Sequence, residues 1–163
     1  MTTELKSIQE LFSNAQYHEI IELLPNSNEL DEEFLLLKAH SLFELGEFDQ
    51  ARFIYKKLQM FANVGFCFLL ENDFVNAEKN YLKAKNSSAK KWGLFMVLLL
   101  SKCPETFPGP GFLTFRLFFE SSYFYFVKFK KKEFLARIFE TKNQLQTLYP
   151  DLDKEIKKID SLV

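Results

Sequence analysis

Two histidines, His18 and His40, and two cysteines, Cys67 and Cys103, are the side chains of this 163-residue chain best suited to nucleophilic or metal chemistry. A metal site needs Cys, His, Asp or Glu at spacings that close on one ion, and a nucleophile needs a base within reach. Neither histidine has a partner at such a spacing, and neither cysteine belongs to a CxxC pair. Each cysteine stands alone on an apolar stretch and reads as a reduced core thiol. The adjacent carboxylates Glu32 and Glu33 point to different faces of a helix and make no acid and base couple. Pro108-Gly109-Pro110-Gly111 lacks the Lys and Ser or Thr of a phosphate-binding loop, so it reads as a turn. Lys128, Lys130, Lys131 and Lys132, interleaved with Phe126 and Phe129, could grip phosphates and stack bases. Lysines at a helix end more often compensate the dipole, and the rest of the chain is not basic. No catalytic residue, metal site or cofactor is expected, and nucleic acid is not an expected partner.

The elements that must position these residues are helices. Only 5 Gly and 5 Pro leave little for the turns of an all-β fold, while 47% hydrophobic residues with 20 Phe can fill one core. The length predicts a single domain over residues 1–163. Apolar residues recur at helical spacing over 4–13, 17–24, 30–45, 49–58, 60–70 and 74–85. Gly46 sits where a left-handed residue ends one helix, and Asn72 takes the same place one hairpin later. Pro104 to Gly111 marks a break at 103–111. A long aromatic helix is expected over 112–129, another over 133–148, and a last one opened by Pro150 with Leu152, Ile156 and Ile159 on one face.

The first ten residues carry Glu4, Lys6 and Glu10 and no apolar run of signal-peptide length, which points to the cytoplasm. The uncharged stretch from Trp92 to Ser101 is about half of what spanning a bilayer requires. Arg116, Glu120 and Lys128 interrupt the apolar segment 112–129, so no membrane span is expected there either. Lys and Arg number 6 against 14 Asp and Glu in residues 1–80, then 15 against 8 in residues 81–163. An acidic end and a basic end would steer an oppositely charged partner if the helices stack in chain order.

One unit is written twice. Residues 47–57 overlay residues 73–83, matching an acidic residue, Phe48 and Phe74, Ala51 and Ala77, Tyr55 and Tyr81, and Lys57 and Lys83 at identical spacing; Ala84 continues the register. Aromatic, small and aromatic at i, i+3 and i+7 let a neighbouring helix approach at the alanine. In the preceding helices, Ala39 and Gly65 each fall twelve residues before Ala51 and Ala77. This pattern resembles the tetratricopeptide repeat, a helix-turn-helix unit with small residues at those two places. The match is best over 31–85. The copies are 26 residues apart, against about 34 in the family, so the joint near Leu58-Gln59-Met60 is shortened. Trp92, Phe95, Met96 and Leu99 resemble one more first helix, with Met96 replacing the small residue.

The resemblance implies an all-α fold: antiparallel helical hairpins stacked as a short solenoid, closed by a C-terminal capping helix. It also implies a protein-binding module, an adaptor or scaffold holding a partner segment in an apolar groove. By resemblance that groove is lined by Leu36, His40 and Phe43 from one copy and Ala62, Phe66 and Leu69 from the next. A small chaperone of the kind secretion systems use, or a structural subunit of a larger assembly, are the alternatives. The helix over 112–129 is apolar nearly all round, so it must be buried within the chain or serve self-association.

Overall fold

The computed structural model describes residues 3–24, 30–85, 87–102, 139–140, 142–147 and 149–162. The break expected at 103–111 and the aromatic helix expected over 112–129 lie outside them. Among the described residues every regular element is helical, which makes the fold all-α. The chain divides into two compact units, Met1–Asp73 and Phe74–Val163.

The first unit is a run of five helices: α1 (Thr3–Ser13), α2 (Tyr17–Leu23), α3 (Glu32–Glu44), α4 (Phe48–Lys57) and α5 (Phe61–Leu70). α1 packs on α2 and α3, and thereafter each helix packs on the next, α2 on α3, α3 on α4 and α4 on α5. Glu32 and Glu33 lie in the first turn of α3, where the helix dipole favours negative charge. Lys56 and Lys57 close the last turn of α4 with the opposite sign.

One device ends four helices. Ala15, Gly46, Gln59 and Asn72 all have φ between 56° and 79°. After each, the next amide reaches five residues back: Gln16 to Leu11, Glu47 to Leu42, Met60 to Tyr55 and Asp73 to Phe68, at 2.8 to 2.9 Å. This double closure of a helix C-terminus needs a left-handed residue, natural for glycine and tolerated by asparagine. Ala15 and Gln59 adopt it at a cost of roughly 1 kcal/mol each, offset by the carbonyls it satisfies. The shortened joint at Leu58-Gln59-Met60 therefore has the same form as the hairpin turn at Gly46. Phe48, Phe61 and Phe74 consequently open α4, α5 and the next helix at 13-residue intervals, half of the 26-residue copy.

The N-terminal core is built on Ile8, Ile20 and Leu24, with Leu11, Phe12, Leu30, Phe34 and Leu37 packed against it. Ala39 and Ala51, the small residues that the spacing singled out, are wholly buried on α3 and α4. Each fully buried Leu or Ile adds about 1.5–3 kcal/mol relative to its exposed state. Lys38 is buried too, and its ammonium donates to the Leu24 carbonyl at the end of α2. Burial holds that ammonium below its ordinary value.

The second unit contains α6 (Phe74–Lys83), α7 (Ser88–Lys102), helical residues 139–140, α8 (helical residues 142–147), a 3₁₀ turn at Pro150–Leu152 and α9 (Asp153–Ser161). α7 packs against both α6 and α9. Trp92 and all six residues from Leu94 to Leu99 are buried, as the uncharged run there requires. Lys90 donates to the carbonyls of Leu82 at 3.1 Å and Ala84 at 3.3 Å, capping the end of α6. Ile156 and Ile159 bury one face of α9. Lys91 of α7 at 3.0 Å and Lys142 of α8 at 2.6 Å both bind the Asp160 carboxylate. Burial alone would raise that carboxyl, but hydrogen bonds from the two lysines hold it below its ordinary value.

The small residue of α7 is Gly93 rather than the position of Met96. A methyl group placed on Gly93 would stand 2.1 Å from Cε1 of Tyr81, so the ring of the α6 tyrosine lies directly on the α7 backbone. Met96 is itself fully buried. Ala39, Gly65 and Gly93 are thus buried small residues of α3, α5 and α7, at intervals of 26 and 28 residues.

Candidate functional site

The six residues expected to line a groove are mostly interior. His40, Phe43, Phe66 and Leu69 are buried, while Leu36 and Ala62 are half-buried. Phe43 stacks on Phe66 at 5.3 Å between centroids and meets Phe48 edge-on at the same distance, tying α3 to α5 and α4. His40 Nδ1 hydrogen-bonds Tyr55 Oη at 2.7 Å, and its ring lies 6.3 Å from that of Phe12. Burial lowers the imidazole to about 4, so the neutral ring is the one this packing holds.

The other repeat positions are distributed by the same packing. Ala51, Tyr55, Gly65, Ala77, Tyr81 and Ala84 are buried, Phe48 and Phe74 are half-buried, and Gly46 is an exposed left-handed turn. Cys67 is fully buried, and burial pushes its thiol up to about 12. A thiol so placed is a poor nucleophile. His18 is exposed at the start of α2. Among the described residues no group of three or more His, Cys, Asp or Glu could hold a metal ion.

Among the described residues an open apolar groove lies in the second unit. α6, α7 and α9 enclose a groove of about 380 Å³. Leu94, Val97 and Leu98 of α7 form its floor; Val75, Glu78 and Leu82 form one wall, and Glu155, Lys158 and Ile159 the other. The floor is buried, but Val75 is 77% and Leu82 48% exposed. Single exposed apolar residues are ordinary on any protein, whereas two on one helix face beside an apolar floor make a contiguous patch.

The internal repeat shows why this face is unusual. Val75, Glu78 and Leu82 occupy the places that Asp49, Arg52 and Lys56 hold in α4. On α4 those side chains form a polar cover: Arg52 pairs with Asp49 and Glu71, and its guanidinium lies 4.3 Å above the ring of Phe68, with the Lys56 ammonium at 5.9 Å. On α6 the two outer positions have become apolar and the central charge has changed sign. Repeat packing is met by Ala77 and Tyr81 and does not ask for this change. Comparing α4 with α6 position by position exposes the switch in the sequence, but the far wall comes from α9, more than 70 residues away in the chain.

Among the described residues no helix is long and apolar enough to cross a membrane. Comparison with known proteins finds no matching family model, no matching curated protein and no matching solved structure.

Proposed function

We propose that this chain is a degenerate tetratricopeptide-like helical repeat protein that works as a protein-binding module, an adaptor or scaffold rather than an enzyme. Support for the repeat reading comes from the matched small residues Ala39 and Gly65, Ala51 and Ala77, the tyrosines Tyr55 and Tyr81, and the packing of helices on their chain neighbours from α1 to α5 and of α6 on α7. The 13-residue helix interval is a departure from the family's longer unit. Of the three histidine and cysteine side chains of the first unit, His40 and Cys67 are committed to packing and His18 is exposed.

The observation that carries the binding reading is the groove of α6, α7 and α9, where exposed Val75 and Leu82 stand over an apolar floor. Helical proteins commonly recognise partners by burying a few apolar anchors in such grooves. The test compares tagged wild-type chain with a Val75→Asp/Leu82→Asp variant in cells, followed by direct titration of any retained protein after purification. A partner bound by wild type and weakened at least tenfold by the variant, about 1.4 kcal/mol, agrees with the reading. A partner set that is the same for both chains removes it.

A further inference from the structure

The groove has the dimensions and rim charge to receive one particular kind of ligand, and the argument here rests on the reading of it as a protein-binding site. Its buried floor residues Leu94, Val97 and Leu98, with exposed Ser101 at the end of the strip, follow the i, i+3, i+4, i+7 pattern of one helix face. They span two turns, about 10 Å. Val75 and Leu82 on the α6 wall are themselves seven residues apart, while the apolar contacts on the α9 side are Ile159 and, just past the helix end, Leu162. The floor and the α6 wall therefore offer contacts at the same two-turn repeat. An extended strand places its side chains every two residues and would meet these anchors out of step, whereas a helix meets them in step.

Each wall also carries a carboxylate beside the apolar strip, Glu78 on α6 and Glu155 on α9, both exposed. Lys158 stands one turn beyond Glu155 and offsets it on the α9 side. The α6 wall has no such offset among the groove's lining residues, and Glu78 replaces the arginine that the first repeat copy carries at this place. The geometry points to an amphipathic helix of another protein as the occupant, with apolar residues at i, i+3 or i+4, and i+7, and a Lys or Arg beside that stripe opposite Glu78. Seated so, its apolar stripe covers Val75 and Leu82 while its cation meets Glu78 at the rim. The rim pair would act more on specificity and association rate than on affinity.

Two fluorescein-labelled helical peptides of about 15 residues test this on the full chain. Both carry the same leucine stripe; one has lysines flanking it and the other has glutamates. Anisotropy titration at low salt should show the lysine peptide binding roughly three- to tenfold more tightly than the glutamate peptide, the range an exposed ion pair or two supports. Glu78→Lys/Glu155→Lys should invert that order, and Val75→Asp/Leu82→Asp should abolish binding of both peptides. These four positions are exposed, so matching circular dichroism melts will verify that the variants fold. Equal affinity for the two peptides, or an order that charge reversal leaves unchanged, overturns the assignment. So does the absence of binding, as would follow if the chain's own segment 112–129 or a second copy already fills the groove. If the peptides fail while a cellular partner is still lost on Val75→Asp/Leu82→Asp, the helix class is wrong and the binding reading stands. If that loss is also absent, both fall.

Discussion

The ring of Tyr81 on α6 lies against the backbone of Gly93 on α7, so closely that no side chain fits between them. The tyrosine is 1% exposed, and the two helices owe their close approach to this contact. Gly93→Ala should therefore overpack the site. The expected loss is about 1–3 kcal/mol, reduced by up to about 1 kcal/mol because alanine favours the helix. Replacing Tyr81 by Leu should remove the clash, so the alanine becomes neutral or stabilising in that background. Thermal melts of the four chains give the coupling; an equal effect of Gly93→Ala in both backgrounds would contradict the contact.

Ala51 makes the corresponding test in the first unit. It is fully buried on α4, and its neighbour Gln50 is exposed. Ala51→Leu should cost about 1–3 kcal/mol by overpacking, while Gln50→Leu should stay within about 0.5 kcal/mol of wild type. Urea unfolding distinguishes the two, and equal midpoints would remove Ala51 from the helix contact.

His40 makes the first unit sensitive to acid. Its folded value of about 4 lies below the ordinary 6.5. The stability it contributes is thus complete above pH 6.5 and declines as pH falls towards 4. The loss amounts to about 3 kcal/mol at most, since the shift spans some two and a half pH units. His40→Phe removes the titration but leaves Tyr55 Oη without this bond. The variant should be less stable than wild type at pH 7, and the gap should narrow or reverse by pH 4.5. Urea midpoints that run parallel with pH for the two chains would show that His40 does not titrate in this range.

Helix positions and turns were largely legible in the sequence because they depend on local chemistry. Apolar spacing located α1 to α6, and Gly46 and Asn72 marked two helix ends because few other residues accept a left-handed backbone. Gln59 and Ala15 are not legible as helix ends for the same reason: nothing in their types announces φ near 57°, and only the surrounding helices impose it. Gly93 is hard to read from sequence because the large aromatic Trp92 dominates the apolar register of α7, whereas the contact is decided by which residue lies under Tyr81. The groove was the least legible part. Periodicity marks an apolar face without saying whether core or solvent meets it, so His40, Phe43, Phe66 and Leu69 read alike with Val75 and Leu82 until burial separates them.

The central claim is that the groove of α6, α7 and α9 is where a partner protein docks, and site-specific photo-crosslinking tests it most directly. A benzophenone amino acid placed at Val75 or Leu82 should yield a discrete adduct with another protein in cells. The same group at Phe53, which is 67% exposed but outside the groove, should not. Adducts of equal yield at Phe53 and Val75, or none at Val75 and Leu82, would contradict the account.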